Sequence, residues 1–300
     1  MTLTQKTHFN PCFWTALWNK NYYQNFIANR ENELKCRNQK ILTLNLKANK
    51  IIDSKTENVF FEKHTGLTDV TQKEIVDYCK KYFPEKTDYF ENEEKYKDIH
   101  LVIDFENHFS ILEDSFSNVF KLIRDKKIYD IAEKTELSHF VFTHLYRSPL
   151  HINKLIKDFT ENDGSKLETF LHIKHNVLGN FENLKNYIIP IFSKEWTVLE
   201  SKRYIPIGDN PIIHHKDNLF VTISPYLIIK IGKKTVKPEQ ICKYSKLSYF
   251  QYHSLLKLII TSSYNEIVAD DKNLLEKIQK SKHFKNQVNK IKNKDHPYYK

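Results

Sequence analysis

Glycine is scarce in this 300-residue chain, which holds only five. A backbone loop that cradles phosphate needs several glycines at fixed spacing, so neither a G-x-G-x-x-G loop nor a Walker loop can be assembled. No G-x-S-x-G occurs, and Ser224 before Pro225 lacks the setting of a nucleophile elbow. These absences argue against P-loop ATPases, dinucleotide-binding folds and α/β-hydrolases. Cysteine is sparse too. Cys12, Cys36, Cys79 and Cys242 are scattered, with no C-x-x-C pair. The paired ligands of structural zinc are therefore missing, and reduced cysteines are expected. The longest apolar run, near Tyr187–Phe192, is far too short to span a membrane. The polar opening Met1–Lys6 has no signal-type apolar stretch behind it. A soluble cytoplasmic protein with no membrane partner is the expectation.

What is present is positive charge and a plentiful set of aromatic residues. The formal net charge is +10 and the pI about 9.1. A basic chain is drawn to nucleic acid and acidic surfaces. Composition offers a plainer account: the chain is rich in Lys, Asn and Ile, as an AT-rich genome produces, and much of the excess lies in Lys280–Lys300. Aromatic residues make up 13% and apolar residues 40%, enough for a core. No repeat or low-complexity linker interrupts it.

Periodicity places elements along the chain. Pro11 suits a helix start, with Trp14, Trp18 and Tyr22 on one face. Ile41–Leu46 alternates like a strand, and Asn58–Lys63 reads as its partner. Helices are predicted over Thr71–Phe83, Phe109–Lys134, Glu136–Tyr146, Leu150–Phe159, Lys166–Val177 and Phe181–Ile189, the last ended by Pro190. Short strands follow at Trp196–Glu200, Arg203–Ile207, Leu219–Ile223 and Tyr226–Ile231, with turns at Gly208–Pro211 and Ser224–Pro225. Helices near Lys246–Ala269 and Lys272–Asn293 close the chain. The expected fold is a single α+β domain over 1–292, predominantly helical, with a small mixed β-sheet formed by early and late strands; 293–300 is a frayed basic tail.

Three segments, in order, resemble the bacterial family called domain of unknown function 4238. His8-Phe9-Asn10-Pro11, followed by aromatics and Trp18, is similar to its opening His-aromatic-x-Pro motif. Trp196–Leu199 leading into Ile207-Gly208-Asp209-Asn210-Pro211 resembles its tryptophan strand and Ser-Asp-Asn-Pro turn. Ile223-Ser224-Pro225 resembles a Ser-Pro segment after that turn. Leu145–Pro149, Glu113 and Asn265 are weaker echoes. The match would cover nearly the whole chain. Gly208 stands where a serine is usual, so that hydroxyl's role is absent here, and Asn10 fills the motif's variable place. The resemblance implies a site with His8, Asp209 and Glu113 as catalytic residues and Asn10, Arg147, Asn210, Ser224 and Asn265 as ligand-binding residues. It implies little about activity.

Each residue also has a structural use. His8 could be a general base, a metal ligand or a phosphate donor, or simply pack on aromatics. Asp209 and Asn210 are turn formers as readily as functional groups. Glu113 fits a solvated helix face, and Arg147 can cap carbonyls as well as grip an anion. His139, His144, His151, His172 and His175 form a dense set without a metal motif, and are read as incidental. Three functions remain open. One is a nuclease-like hydrolase of nucleic acid or nucleotides, with His8, Glu113 and Asp209 holding a divalent metal or acting as base, and Arg147 holding phosphate. The second is a non-catalytic ligand-sensing or nucleic-acid-binding module. The third is an interaction protein assembling through the aromatic N-terminal segment. Phage defence enters by analogy alone.

Overall fold

The computed structural model describes residues 6–8, 10–30, 35–63, 67–88, 100–104, 116–147, 181–234 and 241–294. In chain order the elements are β1 (Lys6–His8), α1 (Cys12–Ala16), α2 (Lys20–Ile27), β2 (Lys40–Asn45), β3 (Lys50–Lys55), β4 (Phe61–Lys63), β5 (Leu67–Thr71), α3 (Gln72–Tyr82), β6 (His100–Asp104), α4 (Ser117–Asp125), α5 (Ile131–Arg147) and α6 (Phe181–Phe192). The later part adds β7 (Lys194–Glu200), β8 (Ile207–Gly208), β9 (Ile212–His215), β10 (Asn218–Ser224), β11 (Leu227–Lys234), β12 (Lys243–Lys246), α7 (Tyr249–Ser262), β13 (Glu266–Ala269), α8 (Lys272–Lys280) and α9 (Lys282–Lys292). Among the described residues no helix is long and apolar enough to cross a membrane.

The chain divides into two compact units. One comprises residues 1–7, 62–115 and 149–185; the other comprises 8–61, 116–148 and 186–300. In the first, β5 pairs antiparallel with β6, Val70 opposite Leu101. β5 runs straight into α3 through a capping box, in which the Thr71 hydroxyl accepts from the Glu74 N–H and the Glu74 carboxylate accepts from the Thr71 N–H.

The second unit holds both larger sheets. One runs β3-β2-β13-β8, and the other β12-β7-β11-β10-β9. In the second sheet only β12 runs parallel to its neighbour, β7; the other pairs are antiparallel. Helix α7 serves both sheets. Its Ile260 joins Leu44, Ile267 and Ala269 of the four-stranded sheet, together with Leu275, Ile278 and Phe284 of α8 and α9. Its Tyr252, Leu255 and Ile259 join Leu199, Ile213 and Ile228 of the five-stranded sheet. Side chains three and four apart cover adjoining strips of a helix, so one helix can fill two cores. A Ser248–Gln251 capping box fixes where α7 begins.

The expectation of a predominantly helical α+β protein with one small mixed sheet is overturned. The fold is mixed α/β, with sheets of four and five strands. The strands that escape sequence reading share physical causes. β3 is the partner of β2 in place of Asn58–Lys63, and its mostly exposed residues show no clear alternation. β12 is exposed throughout. β13 follows α7 after only three residues, so its apolar run merges with the helical pattern. Other boundaries shift too. Among the described residues the predicted Phe109–Lys134 helix is broken: α4 closes with Lys126 left-handed at φ 56°, and α5 begins at Ile131. Pro190 lies inside α6 instead of ending it. Ser281 splits the predicted last helix, its hydroxyl accepting from the Phe284 N–H. Leu150–Phe159 and Lys166–Val177 lie outside the described residues.

Candidate functional site

The N-terminal segment and the Gly208–Pro211 turn do meet. Asn10 is fully buried, and its Nδ2 donates to the Gly208 carbonyl at 3.2 Å. His8 lies in β1, and its side chain is outside the described residues, as is that of Arg147, the last residue of α5. Glu113 lies wholly outside them. Asn210, within the turn, is half-buried. Ser224 is buried, its hydroxyl accepting from the Tyr226 N–H at 3.4 Å. Asn265 contributes its backbone: its N–H donates to Asp209, and its carbonyl accepts from the Leu46 N–H.

Asp209 is the hub of this contact. Its carboxylate accepts from the backbone N–H groups of Tyr264 (3.1 Å), Asn265 (2.5 Å) and Glu266 (3.2 Å), while its own N–H donates to the Glu266 carbonyl. The carboxylate thus ties β8 to the entry of β13. Burial raises its pKa from 3.8 to about 7, the three N–H groups acting against that rise and the nearby Glu266 charge adding to it. Glu266 is itself raised, chiefly by burial, with its carboxylate accepting from the Phe60 N–H. Most of these bonds fall on Oδ2, which accepts from all three N–H groups, while Oδ1 accepts from Tyr264 alone. Among the described residues no three His, Cys, Asp or Glu side chains converge as metal ligands.

The aromatic opening is internal. Trp14 and Trp18 are fully buried, their indole N–H groups donating to the Ile223 and Ile205 carbonyls at 2.9 and 2.7 Å. Assembly through these tryptophans would need a surface they do not present. His144 packs against Trp14 and Phe140, with ring centroids 5.0 and 4.4 Å away. Neither of its nitrogens has a hydrogen-bond partner. Burial lowers its pKa from 6.5 to about 3, so the ring is neutral.

An open groove lies elsewhere in the same unit, between α7 and the α8–α9 pair. Its volume is about 830 Å³, within the usual range of small-ligand sites. Tyr249 and Tyr252 of α7 form one wall; Arg203, Lys257 and Lys277 supply cations, and His253 and His283 add imidazoles. The Arg203 guanidinium lies over the Tyr249 ring at 4.7 Å and the Tyr252 ring at 5.6 Å. Its one carboxylate, Asp271, is used in capping α8 by accepting from the Leu274 N–H. The floor is held by a relay of phenols. Tyr252 donates to the Tyr204 carbonyl at 2.9 Å, and Tyr204 donates to the Trp18 carbonyl at 2.5 Å and accepts from the Asp270 N–H. Burial raises the pKa of both phenols, so they stay protonated donors. The tryptophan segment singled out in the sequence thus supports this groove from beneath.

Behind the groove, the chain between Lys272 and Lys294 carries eight lysines and a single acidic residue, Glu276. All eight lysines are exposed. Sequence reasoning notes the lysine-rich end but misses Arg203, Tyr249, Tyr252 and His253. The available signal is the Tyr249-Phe250-Gln251-Tyr252-His253 run at a helix start, which is aromatic beyond what one buried face needs. No protein family, no curated protein and no solved structure matches the chain.

Proposed function

We propose that the protein is a non-catalytic binding module for a nucleotide-like anion, taken up in the groove between α7 and the α8–α9 pair. One observation carries this reading: the exposed Tyr249 ring and three cations, with a single carboxylate, Asp271, line the same open groove. A planar base can lie against the exposed Tyr249, while Lys257, Lys277 and Arg203 can neutralise phosphate. The basic α8–α9 pair favours a polyanion over a neutral ligand. A hydrolase centred on Asp209 is less well supported, because backbone N–H groups engage its carboxylate.

Thermal shift and calorimetry with AMP, ADP and inorganic phosphate test the proposal. A rise in Tm that grows with nucleotide concentration, without turnover, is the expected result. Lys277→Ala and Arg203→Ala should each weaken nucleotide binding by about five- to tenfold, the scale of one charge-assisted contact. No shift with any nucleotide, or equal binding by all variants, would overturn it.

A further inference from the structure

A second groove lies on the other side of α7, between that helix and the five-stranded sheet. Its volume is about 570 Å³. Its floor is apolar, with Leu199, Phe220, Ile228 and Leu255, and its charged or titratable lining groups are Lys230, Lys257 and His215, with no carboxylate. Phe250 stands at its rim, 82% exposed. Helical spacing explains how one helix lines both grooves. Tyr249, His253 and Lys257 follow one another at four-residue intervals on one strip, while Phe250, Ser254 and Leu258 follow on the next. Lys257 lines both grooves. Tyr249 and Phe250 are in contact, ring centroids 5.8 Å apart and nearly perpendicular. An aromatic ring this exposed, beside an apolar recess free of negative charge, suits an occupant with an apolar face and a negative backbone.

Resting on the nucleotide-binding reading above, we propose that the second groove is the adjoining base subsite of the same ligand, which is a single-stranded polynucleotide. Successive bases lodge on either side of α7, one against Tyr249 and the next against Phe250, with Lys257 at the phosphate between them. The exposed lysines of α8 and α9 follow the backbone beyond. In a duplex, the base faces are stacked on one another and cannot reach such recesses, whereas a single strand can splay its bases onto protein aromatics. Base-on-aromatic stacking is sequence-tolerant, so little discrimination among bases follows.

The test is fluorescence anisotropy with labelled single strands of about twelve nucleotides, in DNA and RNA form, beside the matching duplex and AMP. Phe250 is exposed, so Phe250→Ala leaves the core intact. The single strand should bind at least about tenfold tighter than the duplex. Phe250→Ala should weaken single-strand binding about fivefold or more and leave AMP binding unchanged, while Tyr249→Ala should weaken both. If Phe250→Ala binds single strands like the parent, or the duplex binds equally well, the second subsite is overturned while nucleotide binding in the first groove stands. If neither AMP nor any oligonucleotide binds, the parent reading fails as well.

Discussion

Asp209 and His144 are both shut away from water, yet burial moves their protons in opposite directions. The Asp209 pKa rises to about 7, so the folded state holds a proton that the unfolded chain releases near 3.8. Its contribution is therefore full below pH 3.8 and lost as pH rises through 7. The His144 pKa falls to about 3, so the unfolded chain takes up a proton near 6.5 that the folded state refuses. That contribution is full above pH 6.5 and lost as pH falls through 3. Each shift corresponds to a few kcal/mol, with a slope approaching about 1.4 kcal/mol per pH unit. Between roughly pH 4 and 6.5 the two oppose each other. Denaturant titrations should show Asp209→Asn gaining stability with pH, relative to the parent, and His144→Phe losing it. Parallel pH profiles for parent and variants would refute the assignment. Gly208 offers a second test. A Cβ there would lie 2.1 Å from the Ser263 hydroxyl, in a fully buried place. Gly208→Ala should cost about 1–3 kcal/mol, and adding Ser263→Ala should recover part of that loss, read from denaturation midpoints in a double-mutant cycle.

At the scale of elements, Ser281 ends α8 through its backbone N–H, which donates to the Ile278 carbonyl, and starts α9 through its hydroxyl; it also lines the first groove. Ser281→Ala should lower stability by about 1 kcal/mol, the usual cost of an N-cap, and Ser281→Asp should restore most of it. Thermal unfolding of the three proteins decides this. The junction also shows why sequence legibility was partial. The lysine-rich helical pattern was clear, but one serine among many polar residues gave no reason to expect a break. The buried strands β7, β10 and β11 were legible from alternating or continuous apolar residues. β3 and β12 were not, because most of their residues are exposed and show no apolar alternation. The meeting of Asn10 with the Gly208 turn was legible as a convergence of two segments, but its chemistry was not. Asp209, read as a reactive carboxylate, spends its oxygens on Tyr264, Asn265 and Glu266, and nothing local to residues 208–211 announces those partners. The groove residues Arg203, Tyr249 and Lys277 come from the β7–β8 connection, α7 and α8, so only tertiary structure assembles them.

Across the whole molecule the formal charge is +10, and Arg203, Lys230, Lys257 and Lys277 are the lysines and arginine that line the two grooves. Binding of a polyanion should therefore weaken with salt. A plot of log K against log salt concentration for a single strand should slope down by about 0.7 for each phosphate neutralised. The double variant Lys257→Ala, Lys277→Ala should flatten that slope by roughly 1.4, as anisotropy titrations over a range of KCl would reveal. A slope unchanged by the double variant would place the phosphates elsewhere.

Helix α7 is the shared wall of two cores, so neither sheet can be stripped bare while it remains docked, nor stay covered once it leaves. The larger unit should then have no half-open form in which one sheet persists alone. Amide protons in the middle of α7 and those of β11 and β13 should exchange with solvent at one common limiting rate, set by melting of the entire unit.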